Sequence, residues 1–338
     1  MKLSLSRYDL KLRHTFTISR SSHDVTPVVF VEIEHDGITG IGEASPSERY
    51  GETVETVGVF LHSVDVSNFS SPFDLESILA AADASAPGNT AAKAALDIAL
   101  HDWIGKALNV PLFRYWGLDR TKTPRTSFTI GIDTPKVIEQ KVREAEEYPI
   151  LKIKLGGGND EEIMRTIRKV TDKTLRVDAN EGWTQREVAV EKIKWLEQEG
   201  VEFVEQPMPA SDLAGTAWVR ERVNLPLIAD ENSVRVHDVP TLQGAFDGIN
   251  IKLMKCTGVR EALKMIHTAR ACGMKIMTGC MIESSVAISA AAHFSPLIDY
   301  ADLDGNILTT NDPFDGVHVV EGKLVLPDRP GIGVVRKD

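Results

Sequence analysis

The chain has 338 residues, is 42% hydrophobic, and carries 49 acidic against 38 basic residues, for a formal charge of −11 and a pI near 5.4. That length supports a large core, in two domains or one elaborated barrel. An acidic chain with scattered lysines and arginines argues against nucleic acid or an anionic membrane as partner.

The start, Met1-Lys2-Leu3-Ser4-Leu5, turns polar too early for a signal peptide, and no apolar run approaches the ~20 residues of a membrane span. Three cysteines, Cys256, Cys272 and Cys280, lack metal-type spacing and point to a reducing cytoplasm. Residues 1 to about 54 read as β: Thr26 to Glu34 is a β-branched, apolar run, His35-Asp36-Gly37 a turn, and Ile38 to Glu43 its hairpin partner. The segment Phe16 to Asp24 is polar and serine-rich and reads as a loop. From Val54 to Ala107 the pattern is helical, clearest over Thr90 to Ala107, with Leu96, Leu100, Trp103 and Ile104 on one side. Residues 1–120 are thus expected to form an α+β unit of their own.

After Pro124 short apolar strands recur at ~25-residue spacing with helical patterns between most of them, the signature of a (β/α) barrel. Eight such units without a glycine-rich dinucleotide turn favour a closed barrel over a doubly wound sheet. The barrel is expected over 121–316, with the last segment, about 317–338, returning to the first unit.

Within the second strand, Lys152 and Lys154 flank Ile153, so both ammonium groups share a face. Taken alone, this pair fits an edge strand with solvated lysines as well as an active-site strand. Three successive strands then end in carboxylates, Asp178, Glu205 and Asp230, spaced 27 and 25 residues apart. At the C-terminal mouth of a barrel they converge, and a hard divalent cation such as Mg²⁺ relieves their repulsion. Lys252 ends the sixth strand, across the barrel from the second, and Lys255 nearby reads as a loop charge. A substrate between Lys154 and Lys252 would be able to lose a proton to one face and regain it on the other. The eighth strand ends in Asp302-Leu303-Asp304, whose acids fit a helix cap, a cation site or a pocket for a substrate ammonium.

The ordered set Lys152-Ile153-Lys154, Val177-Asp178-Ala179-Asn180, Val204-Glu205-Gln206-Pro207, Ala229-Asp230-Glu231 and Asn250-Ile251-Lys252-Leu253, with the helix Ala94-Ala95-Leu96-Asp97-Ile98-Ala99, resembles the enolase superfamily in its muconate-lactonizing branch. The similarity spans nearly the whole chain. It implies a modified (β/α)7β barrel with an N-terminal capping domain, Mg²⁺ on Asp178, Glu205 and Asp230, and Lys154 and Lys252 as an acid/base pair acting α to a carboxylate. Lys152 is implied as the neighbouring charge that tunes Lys154 and holds a carboxylate oxygen. Within that branch, Asp302 and Asp304 resemble the dipeptide epimerases, whose paired aspartates bind the substrate's amino terminus. The same resemblance implies substrate contacts from Phe16, Arg20 and Met281, with Arg20 meeting a glutamate side chain, and supporting roles for Asn180, Glu231 and Asn250.

The function expected is therefore epimerisation of a dipeptide, of the L-Ala-D/L-Glu type or a related one, at its C-terminal residue. Cell-wall peptide recycling in the cytoplasm supplies such a substrate, and a homo-oligomer is the family habit. The alternatives are an o-succinylbenzoate synthase, an N-acylamino acid racemase or a cycloisomerase, whose substrates lack the free ammonium that Asp302 and Asp304 suit. An acid-sugar dehydratase would want a histidine where Thr278-Gly279-Cys280-Met281-Ile282-Glu283 has none. A non-catalytic barrel leaves the acids and lysines without purpose.

Overall fold

The computed structural model describes all 338 residues. Three antiparallel strands open the chain, β1 (Lys2–Ile18), β2 (Ser21–His35) and β3 (Ile38–Ala44), followed by helices α1 (Val54–Ser63), α2 (Leu75–Ser85) and α3 (Thr90–Ala107). The segment expected as a loop, Phe16 to Asp24, is instead the tip of the β1–β2 hairpin. Phe16 pairs with His23 and Ile18 with Ser21, so the chain reverses through Ser19-Arg20 alone. Its apolar residues are only partly covered, which leaves little of the alternation by which a half-buried strand is recognised.

The helix α3 is buried on nearly every side rather than along one stripe, because it lies between the β-sheet and the barrel. Its small residues permit this. A Cβ on Gly42 of β3 would overlap the Ala95 carbonyl, so sheet and helix approach backbone to backbone. Its two buried carboxylates bond donors of neighbouring segments, as burial of a charge requires. Asp97 accepts from the Val259 and Arg260 N–H groups at 2.7 and 3.1 Å, and Asp102 from Ile41 and Ile332 at 2.9 Å each. Asp97 thus caps the start of a barrel helix, and Asp102 ties the C-terminal segment to α3.

After the short helix α4 (Leu112–Tyr115), eight parallel strands form one sheet in sequence order: β4 (Phe128–Ile130), β5 (Ile150–Lys154), β6 (Thr174–Asp178), β7 (Val201–Glu205), β8 (Leu227–Ala229), β9 (Gly248–Ile251), β10 (Lys275–Gly279) and β11 (Tyr300–Asp302). A parallel bridge between Thr126 and Ala301, with Ser127 N–H on the Ala301 carbonyl at 3.1 Å, closes the circle. Helices α5 (Pro135–Glu144), α6 (Asp160–Arg168), α7 (Arg186–Gln198), α8 (Leu213–Arg220), α9 (Leu253–Cys256) with α10 (Val259–Ala271), and α11 (Ser285–His293) cross between strands. The unit after β8 has only a 3₁₀ turn, Val239–Leu242, and β11 is followed by irregular chain and short antiparallel pairs. No helix is long and apolar enough to cross a membrane.

Candidate active site

The parallel register sets the site. Lys154 pairs with Asp178 and Asp178 with Glu205, so the ends of β5, β6 and β7 stand level at the barrel mouth. Ligand oxygens of Asp178, Glu205 and Asp230 all lie within 4.8 Å of one another, and all three residues are buried. Because side chains alternate along β5, Lys152 and Lys154 both enter the barrel interior. Each is almost fully buried, so the edge-strand alternative does not hold.

Lys152 occupies the centre. Its ammonium lies 2.7 Å from Glu205 Oε2, 2.7 Å from Asp302 Oδ2 and 3.2 Å from Asp178 Oδ2. Burial pulls its pKa down, but these three carboxylates more than offset that and hold it well above the ordinary lysine value. Lys154 donates to Asp178 Oδ2 at 2.6 Å, and Lys252, from beyond the end of β9, to Asp230 Oδ2 at 2.8 Å. The two lysines therefore reach the outer acids of the triad from the second and sixth strands of eight, on opposite sides of the barrel. Asp178 is held below the usual carboxylate range because Lys154 and Lys152 outweigh the opposing effect of burial. Glu205 is pushed up to about 7 by burial and then by Asp178.

Lys255, expected as a loop charge, is fully buried. One turn of α9 past Lys252, its ammonium bonds Asp230 Oδ1 at 2.6 Å, the Asp230 carbonyl and the Asn250 carbonyl at 3.1 Å. The i, i+3 spacing from Lys252 was the available signal. Asn250 Nδ2 donates to Glu205 Oε1 at 2.7 Å, and it has room because a Cβ at Gly279 would strike its amide. Gln206 accepts the Asp230 N–H at 3.0 Å and donates to Asn232 and Met208, a brace that the Glu205-Gln206-Pro207 motif contains but that residue type alone does not disclose.

The chemistry of this set fits a hard divalent cation. Four buried lysines, Lys152, Lys154, Lys252 and Lys255, face six buried carboxylates, Asp178, Glu205, Asp230, Glu231, Asp302 and Asp304. Arg20 neutralises Glu231, its Nη2 lying 2.7 Å from Oε1. Fully ionised, the carboxylates outnumber these cations by one, a crowding that burial sharpens until Glu205 and Asp304 rise to about 7, and Glu205 Oε2, despite its ion contact with Lys152, makes no hydrogen bond of suitable direction. Clustered carboxylate oxygens of this kind suit Mg²⁺.

Asp302 accepts the Ser127 hydroxyl at 2.6 Å as well as Lys152. Asp304 accepts the Thr129 N–H at 2.6 Å and, raised to about 7 by burial and by Asp302, faces the cavity beside Cys280. Neither acid caps a helix. Asn180, in left-handed backbone at φ 44°, turns its N–H onto Asp178 Oδ1 at 2.9 Å. The cavity above these groups measures about 710 Å³ and is lined by Phe16, Arg20, Met281 and Tyr50 as well as by Lys152, Lys154, Lys252, Asp302 and Asp304. Arg20 points to Glu231 and the Asn180 carbonyl rather than standing free. Two more arginines, Arg7 and Arg49, line the cavity, and no motif in the sequence around either one marks it.

An antiparallel cap over a closed parallel barrel with carboxylates on three successive strand ends defines a metal-assisted acid/base enzyme scaffold. Residues 4–117 match the mandelate racemase / muconate lactonizing enzyme N-terminal domain, and residues 136–338 the enolase C-terminal domain-like family. The chain belongs to the enolase superfamily. It is 55% identical to an L-Ala-D/L-Glu epimerase of Bacteroides thetaiotaomicron, over 99% of this chain and 88% of that protein. It superposes on a substrate-liganded L-Ala-D/L-Glu epimerase from Bacillus subtilis with a TM-score of 0.94 at 31% identity, covering 99% and 98% of the two chains. A dipeptide epimerase from Enterococcus faecalis, in complex with Mg and L-Leu-L-Tyr, superposes at 0.92 with 35% identity over 98% of each chain.

Proposed function

We propose that the chain is a Mg²⁺-dependent dipeptide epimerase that inverts the α-carbon of the C-terminal residue, with L-Ala-Glu or a related dipeptide as substrate. The observation that carries this reading is the placement of Lys154 and Lys252 on the outer members of one carboxylate triad, from opposite strands of the barrel. Asp178, Glu205 and Asp230 would hold the ion, whose positive charge would make the C–H next to the substrate carboxylate more acidic.

One lysine, as the neutral amine, takes the α-proton, and the C–H electron pair moves into the adjacent carboxylate so that the carbon becomes planar. The other lysine, as the ammonium, returns a proton to the opposite face, so atoms and charge balance and only the configuration changes. Lys152 stays cationic and meets a carboxylate oxygen of the substrate, while Asp302 and Asp304 receive its ammonium group by charge-assisted hydrogen bonds. Asn250 and Asn180 hold Glu205 and Asp178 in place. Glu231 holds Arg20 over the pocket, and Phe16 and Met281 bound the space for side chains. The acidic C-terminal side chain is supported by the activity of the 55% identical relative. The cytoplasm, where wall-derived peptides are recycled, suits a protein with three free thiols.

The test is incubation of a small dipeptide library with Mg²⁺ in D₂O, read by mass. Deuterium at the C-terminal α-carbon, fastest for L-Ala-L-Glu or L-Ala-D-Glu, is expected. Exchange with no dipeptide would overturn the reading.

A further inference from the structure

Two arginines of the N-terminal cap reach the barrel rim, and both come to the same carboxylate. Glu181 lies three residues beyond Asp178, in left-handed backbone at φ 66°, with its N–H on the Gln206 carbonyl at 2.9 Å. A side chain in that backbone region persists only where its surroundings hold it. Its Oε1 accepts the Ala210 N–H at 2.8 Å, which fixes the carboxylate to the barrel side. Arg49 grips it with two donors, Nε to Oε2 at 3.1 Å and Nη2 to Oε1 at 3.1 Å. Arg20 Nη1 stands 3.7 Å from Oε2, while its Nη2 bonds Glu231.

Arg20 belongs to the turn between β1 and β2, and Arg49 to the 3₁₀ turn Glu48–Tyr50. These two cap segments are far apart in sequence, yet both line the cavity above the lysines. An isolated surface ion pair contributes little. A carboxylate that is 16% exposed, fixed by a backbone donor, held bidentately by Arg49 and in ion contact with Arg20 of the other loop is different in kind.

We propose that Glu181 is a positioning residue, which holds both cap loops over the cavity and so sets how the substrate fits, without touching a reacting atom. Its kinetic consequence rests on the epimerase reading; its structural consequence does not. Ordering two loops in advance lowers the cost of binding. Loss of Glu181 therefore weakens substrate binding and leaves the proton-transfer groups as they are.

Hydrogen–deuterium exchange of the Mg²⁺-loaded protein, with steady-state kinetics alongside, tests this in E181Q, E181A and E181D. Glu181→Gln keeps an acceptor for Ala210 and guards against a folding failure in Glu181→Ala. Expected is faster exchange in peptides covering both 16–24 and 46–52, with those of β5 to β7 unchanged. Expected too are an unchanged Tm, a KM raised on the order of 10-fold with kcat nearly constant, and partial rescue by Glu181→Asp. Unchanged exchange, loosening of one loop only, or parallel loss of kcat and Tm would each overturn the proposal. Looser loops in a protein that turns over no dipeptide would uphold the clamp and defeat the epimerase reading.

Discussion

Lys152 and Asp302 are 150 residues apart in sequence, and their charged groups meet at 2.7 Å. The pair joins the second barrel strand to the eighth, and the same ammonium also touches Glu205 and Asp178. The acids proposed for the metal and those proposed for the substrate ammonium are therefore one electrostatic unit with a single lysine at its centre.

Removal of that lysine leaves three buried carboxylates without their common counter-ion. Lys152→Met is expected to abolish turnover and to destabilise the protein in EDTA by about 3–5 kcal/mol, the usual cost of breaking a buried pair. Urea unfolding with and without Mg²⁺ measures it. A variant as stable as the parent in EDTA would contradict the placement of Lys152.

The triad should couple metal binding to stability. At a Mg²⁺ concentration of 100 times Kd, about 2.7 kcal/mol of stabilisation is expected, seen as a raised Tm that Asp230→Asn removes. A Tm indifferent to millimolar Mg²⁺ would speak against the site.

Asp304 faces the cavity and is proposed to read the substrate's free amino group. Asp304→Asn is expected to raise KM for a dipeptide by about tenfold or more, the effect of one lost charge-assisted bond. Discrimination against the N-acetylated dipeptide should shrink with it. Equal discrimination by parent and variant would remove Asp304 from substrate recognition.

Two buried groups outside the metal cluster give opposite pH dependences. Burial lowers His293 from 6.5 to about 4, so between those values the unfolded chain binds a proton that the folded one refuses. Stability therefore falls as pH drops through that window, by about 3 kcal/mol in all. Burial raises Glu283 from 4.5 to about 8, with the nearby Glu43 adding to it. There the folded state keeps a proton that the unfolded state has lost, and stability falls as pH rises from 4.5 to 8. His293→Asn, which retains an acceptor for the Phe113 N–H, should flatten the acid limb, and Glu283→Gln the alkaline one. Chemical denaturation across pH 4 to 8.5 checks both.

The barrel was legible because each βα unit repeats one pattern and three of them end in an acid, so register alone brings Asp178, Glu205 and Asp230 together. The same period of two put Lys152 and Lys154 on one face. What escaped depended on contacts between distant segments. The hairpin tip around Arg20 read as a loop because its strands are only partly covered, and α3 read as one-sided because burial by two neighbours leaves no distinctive period. Lys255 and Glu181 are ordinary surface residue types until the fold shows what surrounds them, and the unit after β8 carries no regular helix to be read.

The most direct measurement is solvent deuterium exchange by Lys154→Ala and Lys252→Ala with each diastereomer of the substrate supplied separately. Opposed lysines require that each variant lose epimerisation while exchanging the α-proton of only one diastereomer, and that the two variants retain opposite ones. Epimerisation at the parent rate in either variant, or retention of the same diastereomer by both, would contradict a two-base site.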